Sequence, residues 1–129
     1  MHSLNGIPGT LLLQFLEMRL DTIIYNLGFA VSISNARQFI THGHIDINKK
    51  NINIPSFQCK PNDIISINYN SNLISFVKKN LKIRNYLELP KYLKLDKKKN
   101  IGIVKSIIER QEINVNIQEL LVVEFYSKK

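Results

Sequence analysis

The spacing of apolar positions changes character twice along the chain. Up to Gly43 it follows a helical period, from His44 to Tyr69 it alternates, and between Leu73 and Leu81 the helical period returns. "LLLQFLEM" (11–18) predicts a short helix opened by Thr10 as cap. It has so little polar face that it must be buried on nearly all sides or lie against a partner. "DTIIYNLG" (21–28) predicts a second helix. Leu20, Ile23, Ile24 and Leu27 fall at i, i+3, i+4 and i+7, Asp21 suits the N-cap, and Gly28 suits a left-handed stop. "SISNARQFITHG" (32–43) predicts a third, capped by Ser32 or Ser34 and ended by Gly43. Ile33, Ala36 and Ile40 form its apolar stripe, and Arg37, Gln38 and Thr41 fall on other faces.

"HIDIN", "NINIP" and "DIISINY" then predict strands, with turns at 49–51 and 61–63. "NLISFVKKNLK" (72–82) predicts a helix with Leu73, Phe76, Val77 and Leu81 on one stripe and Lys78, Lys79 and Lys82 off it. Pro90 and the 97–99 lysine run suggest an irregular connection. "IGIVKSII", "INVNI" and "LLVVEFY" predict further strands, with a helical turn at "IQEL". The class is α+β.

Composition narrows the picture. The chain has 129 residues, 44% of them hydrophobic, enough for one compact domain with appended elements. No apolar run approaches the roughly 20 residues that span a bilayer, so no membrane partner is expected. The start lacks the basic n-region of a secretory signal. Cys59 is the sole cysteine, which excludes an internal disulfide and a zinc ribbon and points to an intracellular or organellar compartment.

Charge is unevenly placed. Of the net +8, residues 1–48 contribute only Arg19 and Arg37 against three acids, whereas residues 49–99 carry twelve basic groups against three. A basic middle fits a polyanionic partner, nucleic acid first; a solvated surface is the plainer alternative. Lysine outnumbers arginine 14 to 4, and Asn, Ile and Lys together supply 49 residues. Their codons are AT-rich, as in an organellar genome, and such drift weakens any argument from lysine number alone.

His42-Gly43-His44-Ile45-Asp46 is the densest run of chemically able side chains. A metal site needs three or four convergent ligands. Cys59 and Asp46 could add to the histidines, but no second ligand cluster exists. No nucleophile elbow, P-loop, HExxH or paired-carboxylate motif is present. The expectation is a binding protein without catalytic residues, metal or cofactor. His42 and His44 then either cap the turn or touch a nucleic acid. Arginines at helix starts can hold phosphate by two parallel bonds. Arg19 could instead pair with Asp21 or Glu17.

The stretch "RLDTIIYNLGFAVSISNARQFITHGHIDINKKNINIPSFQCKPNDII" resembles the RNA-binding domain of small-subunit ribosomal protein four. "RLD", "LGFA", "ARQ", "HGHI", "IN", "IPS" and "KP-D" occur in order over residues 19–65. "LLLQFLEMRLD", "LPKYLKLD" and "ELLVVEFYSKK" extend the resemblance over nearly the whole chain. That coverage separates it from pseudouridine synthases and tyrosyl-tRNA synthetases, which carry only the module. "QCKP", "ELLVVEFYS" and Ile33 are most similar to the chloroplast branch.

The resemblance implies two capped helices packed on a small curled β-sheet. It divides the chain into a remnant N-terminal helix (1–18), the RNA-binding domain (19–70), and a basic helix with a C-terminal β-rich segment (71–129). The last would pack with the remnant as part of a truncated second domain. It implies rRNA contact by Arg19, Arg37, Gln38, His42, His44, Lys49, Lys50 and Lys60, in a plastid ribosome ahead of a mitochondrial one. Ile33 removes one phosphate contact, and Lys49 and Asn62 stand where the family has turn glycines. Most of the family's N-terminal segment is missing here. The apolar "LLLQFLEM" and "LLVVEFY" should then pack together and be covered by rRNA, a neighbouring ribosomal protein or a separate chain. A free RNA-binding regulator or ribosome-rescue factor built on the same domain is the alternative.

Overall fold

A computed structural model describes residues 9–68, 71–83 and 89–107. Among these, helix α1 (Gly9–Glu17) is followed after two residues by α2 (Leu20–Leu27) and then α3 (Ile33–Thr41). α1 buries Leu13, and Met18 beyond it, but leaves Leu11 and Phe15 55% and 56% exposed. Of the two expected arrangements, burial on nearly all sides is not the one seen; the other is a face left for a partner. Thr10, the expected cap, lies outside the described side chains.

α2 buries the predicted stripe of Leu20, Ile23, Ile24 and Leu27. Gly28 stops it at φ 88, with its N–H on the Tyr25 carbonyl, and Phe29 N–H reaches back to Ile24. Asp21 is not the N-cap. Arg19 holds that position without a side-chain capping bond, and Asp21 sits inside the first turn. The first two helical N–H groups are satisfied by tertiary partners instead. Leu20 N–H donates to Phe57 O at 2.9 Å and Asp21 N–H to Pro55 O at 3.1 Å. Of the helical N–H groups the carboxylate accepts only the next, that of Thr22, at 2.7 Å, and it has room for further partners. On α3 the predicted cap is present: Ser32 Oγ accepts the Asn35 N–H at 3.0 Å. α3 buries Ala36, Phe39 and Ile40, so Phe39 takes the core position expected of Ile33.

Five antiparallel strands follow: β1 (Ile45–Ile47), β2 (Lys50–Asn51), β3 (Ile64–Ile67), β4 (Leu93–Asp96) and β5 (Ile101–Val104), with α4 (Ile74–Ile83) between β3 and β4. The sheet order is β2-β1-β3-β5-β4. The β1–β2 turn is Asn48-Lys49, one residue earlier than expected, because Ile47 pairs with Lys50. Both turn residues take positive φ, 52° and 69°, the geometry that follows the twist of a two-residue hairpin. The alternation in "NINIP" does not make a strand beyond Asn51, since the following segment turns to place its carbonyls on α2. β4 lies where an irregular connection was expected, and β5 ends at Val104, short of the predicted run. The expected elements "INVNI", "IQEL" and "LLVVEFY", and with them the expected packing of the two apolar stretches, lie outside the described residues, as does Tyr69.

Ile45, Ile47, Ile65, Ile67 and Val104 are buried, with Ile45 paired to Ile67 and Ile47 to Ile65, so they share one sheet face. On that face Gly102, paired with Ile65, lies directly under the Leu27 side chain of α2. α4 adds Val77 and Leu81 to the core, and its Asn80 donates to Phe29 O at 2.9 Å. Tyr92 OH bonds Glu17 Oε2 at 3.0 Å and accepts from Asn26 at 3.1 Å, joining the entry to β4 with α1 and α2.

Candidate nucleic-acid interface

The Asp21 carboxylate, whose Oδ1 also accepts the Thr22 N–H at 2.7 Å, gathers two arginines from separate parts of the chain. Arg19, in the α1–α2 link, donates Nε to Oδ1 at 3.1 Å and Nη2 to Oδ2 at 3.0 Å. Arg37 of α3 donates Nε to Oδ2 at 3.0 Å. Asp21 is 1% exposed, whereas the Arg19 and Arg37 side chains are 27% and 56% exposed. Burial alone would raise the Asp21 pKa. The bonds from Arg19 and Arg37, the Arg19 charge and the Thr22 N–H outweigh it and hold the carboxylate below its ordinary value. The result is a fixed pair of guanidinium groups over one anion, with net positive charge. Arg37 spends only Nε on Asp21, so its two Nη groups can point outward, in the fork that matches phosphate.

Gln38 is exposed next to Arg37. His42 closes α3 and is exposed, and Gly43 after it takes φ 80. His44 is half-buried, its Nδ1 2.7 Å from Ser71 Oγ, and the two imidazole centroids are 6.3 Å apart, edge to face. Asn51 secures the turn by donating to Gly43 O at 2.8 Å and to Asp46 Oδ1 at 3.1 Å. Among the described residues no three His, Cys, Asp or Glu side chains converge as a metal site would require.

Lys49, Lys50 and Lys60 are exposed in or beside two turns that Asp63 ties together. Its Oδ1 accepts from Asn48 Nδ2 at 3.0 Å and its Oδ2 from the Lys60 N–H at 2.8 Å. Pro61-Asn62 forms the second turn, with Asn62 at φ 74 and Asp63 N–H on Lys60 O. The predicted residues thus form three groups: the arginine pair, the histidine turn and the lysine turns. Sequence reasoning missed the organisers Asp21 for Arg37, Ser71 for His44, and Asp63 for the lysines. None of these three is local in sequence; the Arg19–Asp21 pairing, two residues apart, was the one the chain signalled.

Residues 18–65 match the S4 domain. The chain is 48% identical over 125 residues to small ribosomal subunit protein uS4c of Phaeodactylum tricornutum, covering 97% of this chain and 62% of that protein. This chain contains an S4 domain. It is also 46% identical to small ribosomal subunit protein uS4 of Thermosynechococcus vestitus (97% and 62% covered). With uS4c of Prototheca wickerhamii it shares 52% over 131 residues (97% and 59% covered). The chain spans about three fifths of the length of these S4 relatives. The arginine pair, the histidine turn and the lysine turns all fall within the S4 match. α4, β4 and β5 lie beyond it and complete the sheet.

Proposed function

We propose that this chain is a structural component of a plastid small ribosomal subunit, binding rRNA through its S4 domain and carrying out no catalysis. The observation that carries the reading is the arginine pair. Two guanidinium groups, one from the α1–α2 link and one from α3, are pre-set on one buried carboxylate, with Arg37 exposed and Arg19 partly so. Holding them in place before binding spares the ordering cost that free side chains would incur. Arg19, Arg37, Gln38, His42 and His44 act as the shape-reading face, and Lys49, Lys50 and Lys60 add phosphate attraction. The plastid assignment rests on the uS4c relatives and on the Asn, Ile and Lys bias. Neighbouring ribosomal proteins or rRNA cover the exposed Leu11 and Phe15.

The test is binding of the purified chain to plastid small-subunit rRNA across a salt series, with transfer RNA as competitor, and co-sedimentation with small subunits after a high-salt wash. Preferential, salt-dependent rRNA binding and retention on the subunit are expected. Equal affinity for transfer RNA with loss from washed subunits would favour a free RNA-binding regulator or rescue factor.

A further inference from the structure

Four lysines from two distant stretches surround one cleft outside the S4 match. Lys78 and Lys82, one turn apart on α4, face Lys97 and Lys98 of the β4–β5 turn. With Leu81 and Asn100 they line an open space of about 550 Å³. The walls are fixed by backbone and core contacts. Asp96 Oδ1 accepts the N–H groups of Lys98 at 3.0 Å and Lys99 at 3.2 Å, setting the turn. Asn100 follows at φ 56 and is 6% exposed. Its Oδ1 is enclosed and has no hydrogen-bond partner among the described residues. On the opposite side Val77 and Leu81 anchor α4 in the core.

Three of the four charges are uncompensated. Among the described residues Lys78, Lys82 and Lys98 form no ion pair with a carboxylate, and like charges at i and i+4 repel each other. Asp96 lies in the turn, with its Oδ1 engaged by backbone.

We propose that this cleft is a second phosphate site, gripping the sugar–phosphate backbone of an rRNA stretch separate from the one on the arginine face. The inference rests on the rRNA-binding reading above. Lysine ammonium groups act as point charges without the planar fork that reads carboxylates. Their aliphatic stems offer an apolar surface for ribose. Among the described residues no arginine or aromatic side chain, which would favour a carboxylate or a base, lines the cleft.

The experiment compares the chain with its K78A/K82A, K78R/K82R and R37A variants on small-subunit rRNA. Removing one lysine–phosphate pair lowers the log–log salt slope by about 0.7–0.9. K78A/K82A should therefore flatten it by about 1.4–1.8, and K78R/K82R should retain it. Hydroxyl-radical footprints should show K78A/K82A and R37A losing protection on different rRNA stretches. Circular dichroism checks folding; if K78A/K82A fails to fold, K97A/K98A takes its place. An unchanged slope, with wild-type binding still steep, overturns the cleft while leaving the S4 reading intact. Loss of protection on the same stretch in both variants overturns it as a separate site. Tripolyphosphate binding that K78A/K82A abolishes, with the rRNA slope unchanged, assigns the cleft to a small polyanion and overturns the rRNA assignment. Absence of rRNA binding by the wild-type chain overturns both readings.

Discussion

Arg37 Nε lies 3.0 Å from Asp21 Oδ2, sixteen positions earlier in the chain and on another helix. That bond makes the carboxylate the organiser of the candidate interface and separates two roles that mutation can resolve. Arg37 is more than half exposed, so its own ion pair should contribute little to folding, at most about 1 kcal/mol. Replacing it with alanine should weaken rRNA binding by about 1–3 kcal/mol. Denaturant melts and binding isotherms on the same preparation check this. A large loss of stability with unchanged affinity of the folded fraction would make Arg37 structural.

Asp21→Asn should do the reverse in stability. It keeps the shape and removes the charge that two guanidinium groups share. Breaking a fully buried pair costs about 3–5 kcal/mol; with both arginines partly in water, about 2–3 kcal/mol is expected. Urea melts of the two chains measure the difference. rRNA affinity should also fall, because the arginines lose their common anchor.

The pH dependence has a definite sign at each end. Asp21 is held below its ordinary pKa in the fold, so on acidification the unfolded chain takes up its proton first. Its contribution is present above about pH 4 and disappears as pH falls through the lower folded value. Asp21→Asn should flatten that acid limb. Cys59 behaves oppositely: burial, with the Asp63 and Asp21 charges, pushes its thiol up to about 12. Its neutral form favours the fold below the unfolded thiol value of about 8.5, and the contribution is lost as pH rises towards 12. Native Cys59 should react slowly with a thiol reagent near pH 8 and rapidly once urea unfolds the chain.

Lys49→Gly offers a separation of charge from backbone. Lys49 sits at φ 69, where a side chain is strained and glycine is not. The substitution should raise stability by up to about 1 kcal/mol while reducing the salt slope of RNA binding. Thermal melts and a salt titration read the two effects independently.

At Gly102 the expected change is packing alone. A Cβ there would collide with Leu27 Cδ1 and lie 2.7 Å from Cδ2. Gly102→Ala should cost about 1–3 kcal/mol by overpacking, and Leu27→Ala in the same chain should recover part of it. Additive losses in the double variant would show that the helix does not bear on this strand.

Local signals in the chain locate α2 and α3 well. Gly28 and Gly43 stop helices at positive φ, and Ser32 caps as its position suggests. Asp21 reads as a cap because capping is a local rule; its actual partners include Arg37, which only tertiary packing brings near. "NINIP" alternates like a strand, yet its neighbours bend to serve the N-terminus of α2. β4 is four residues between a proline and a lysine run, too short for alternation to stand out. The same run reads as a solvated connection, and only the fold places Lys97 and Lys98 across from Lys78 and Lys82. The resemblance is legible at 19–65 because its pieces are close in sequence and ordered; the S4 match spans 18–65.

The sheet does not stop where the family module does. β3 pairs with β5 through Ile64–Ile103 and Ile65–Gly102, and Tyr92 ties the entry to β4 back to Glu17 and Asn26. A fragment cut after residue 70 would therefore bare a row of unpaired amides and carbonyls along β3, with Leu27 uncovered above it. Such an open margin invites a second molecule to add its own strand. Excision of the recognisable module would thus make it sticky, and the later strands act as its selvedge.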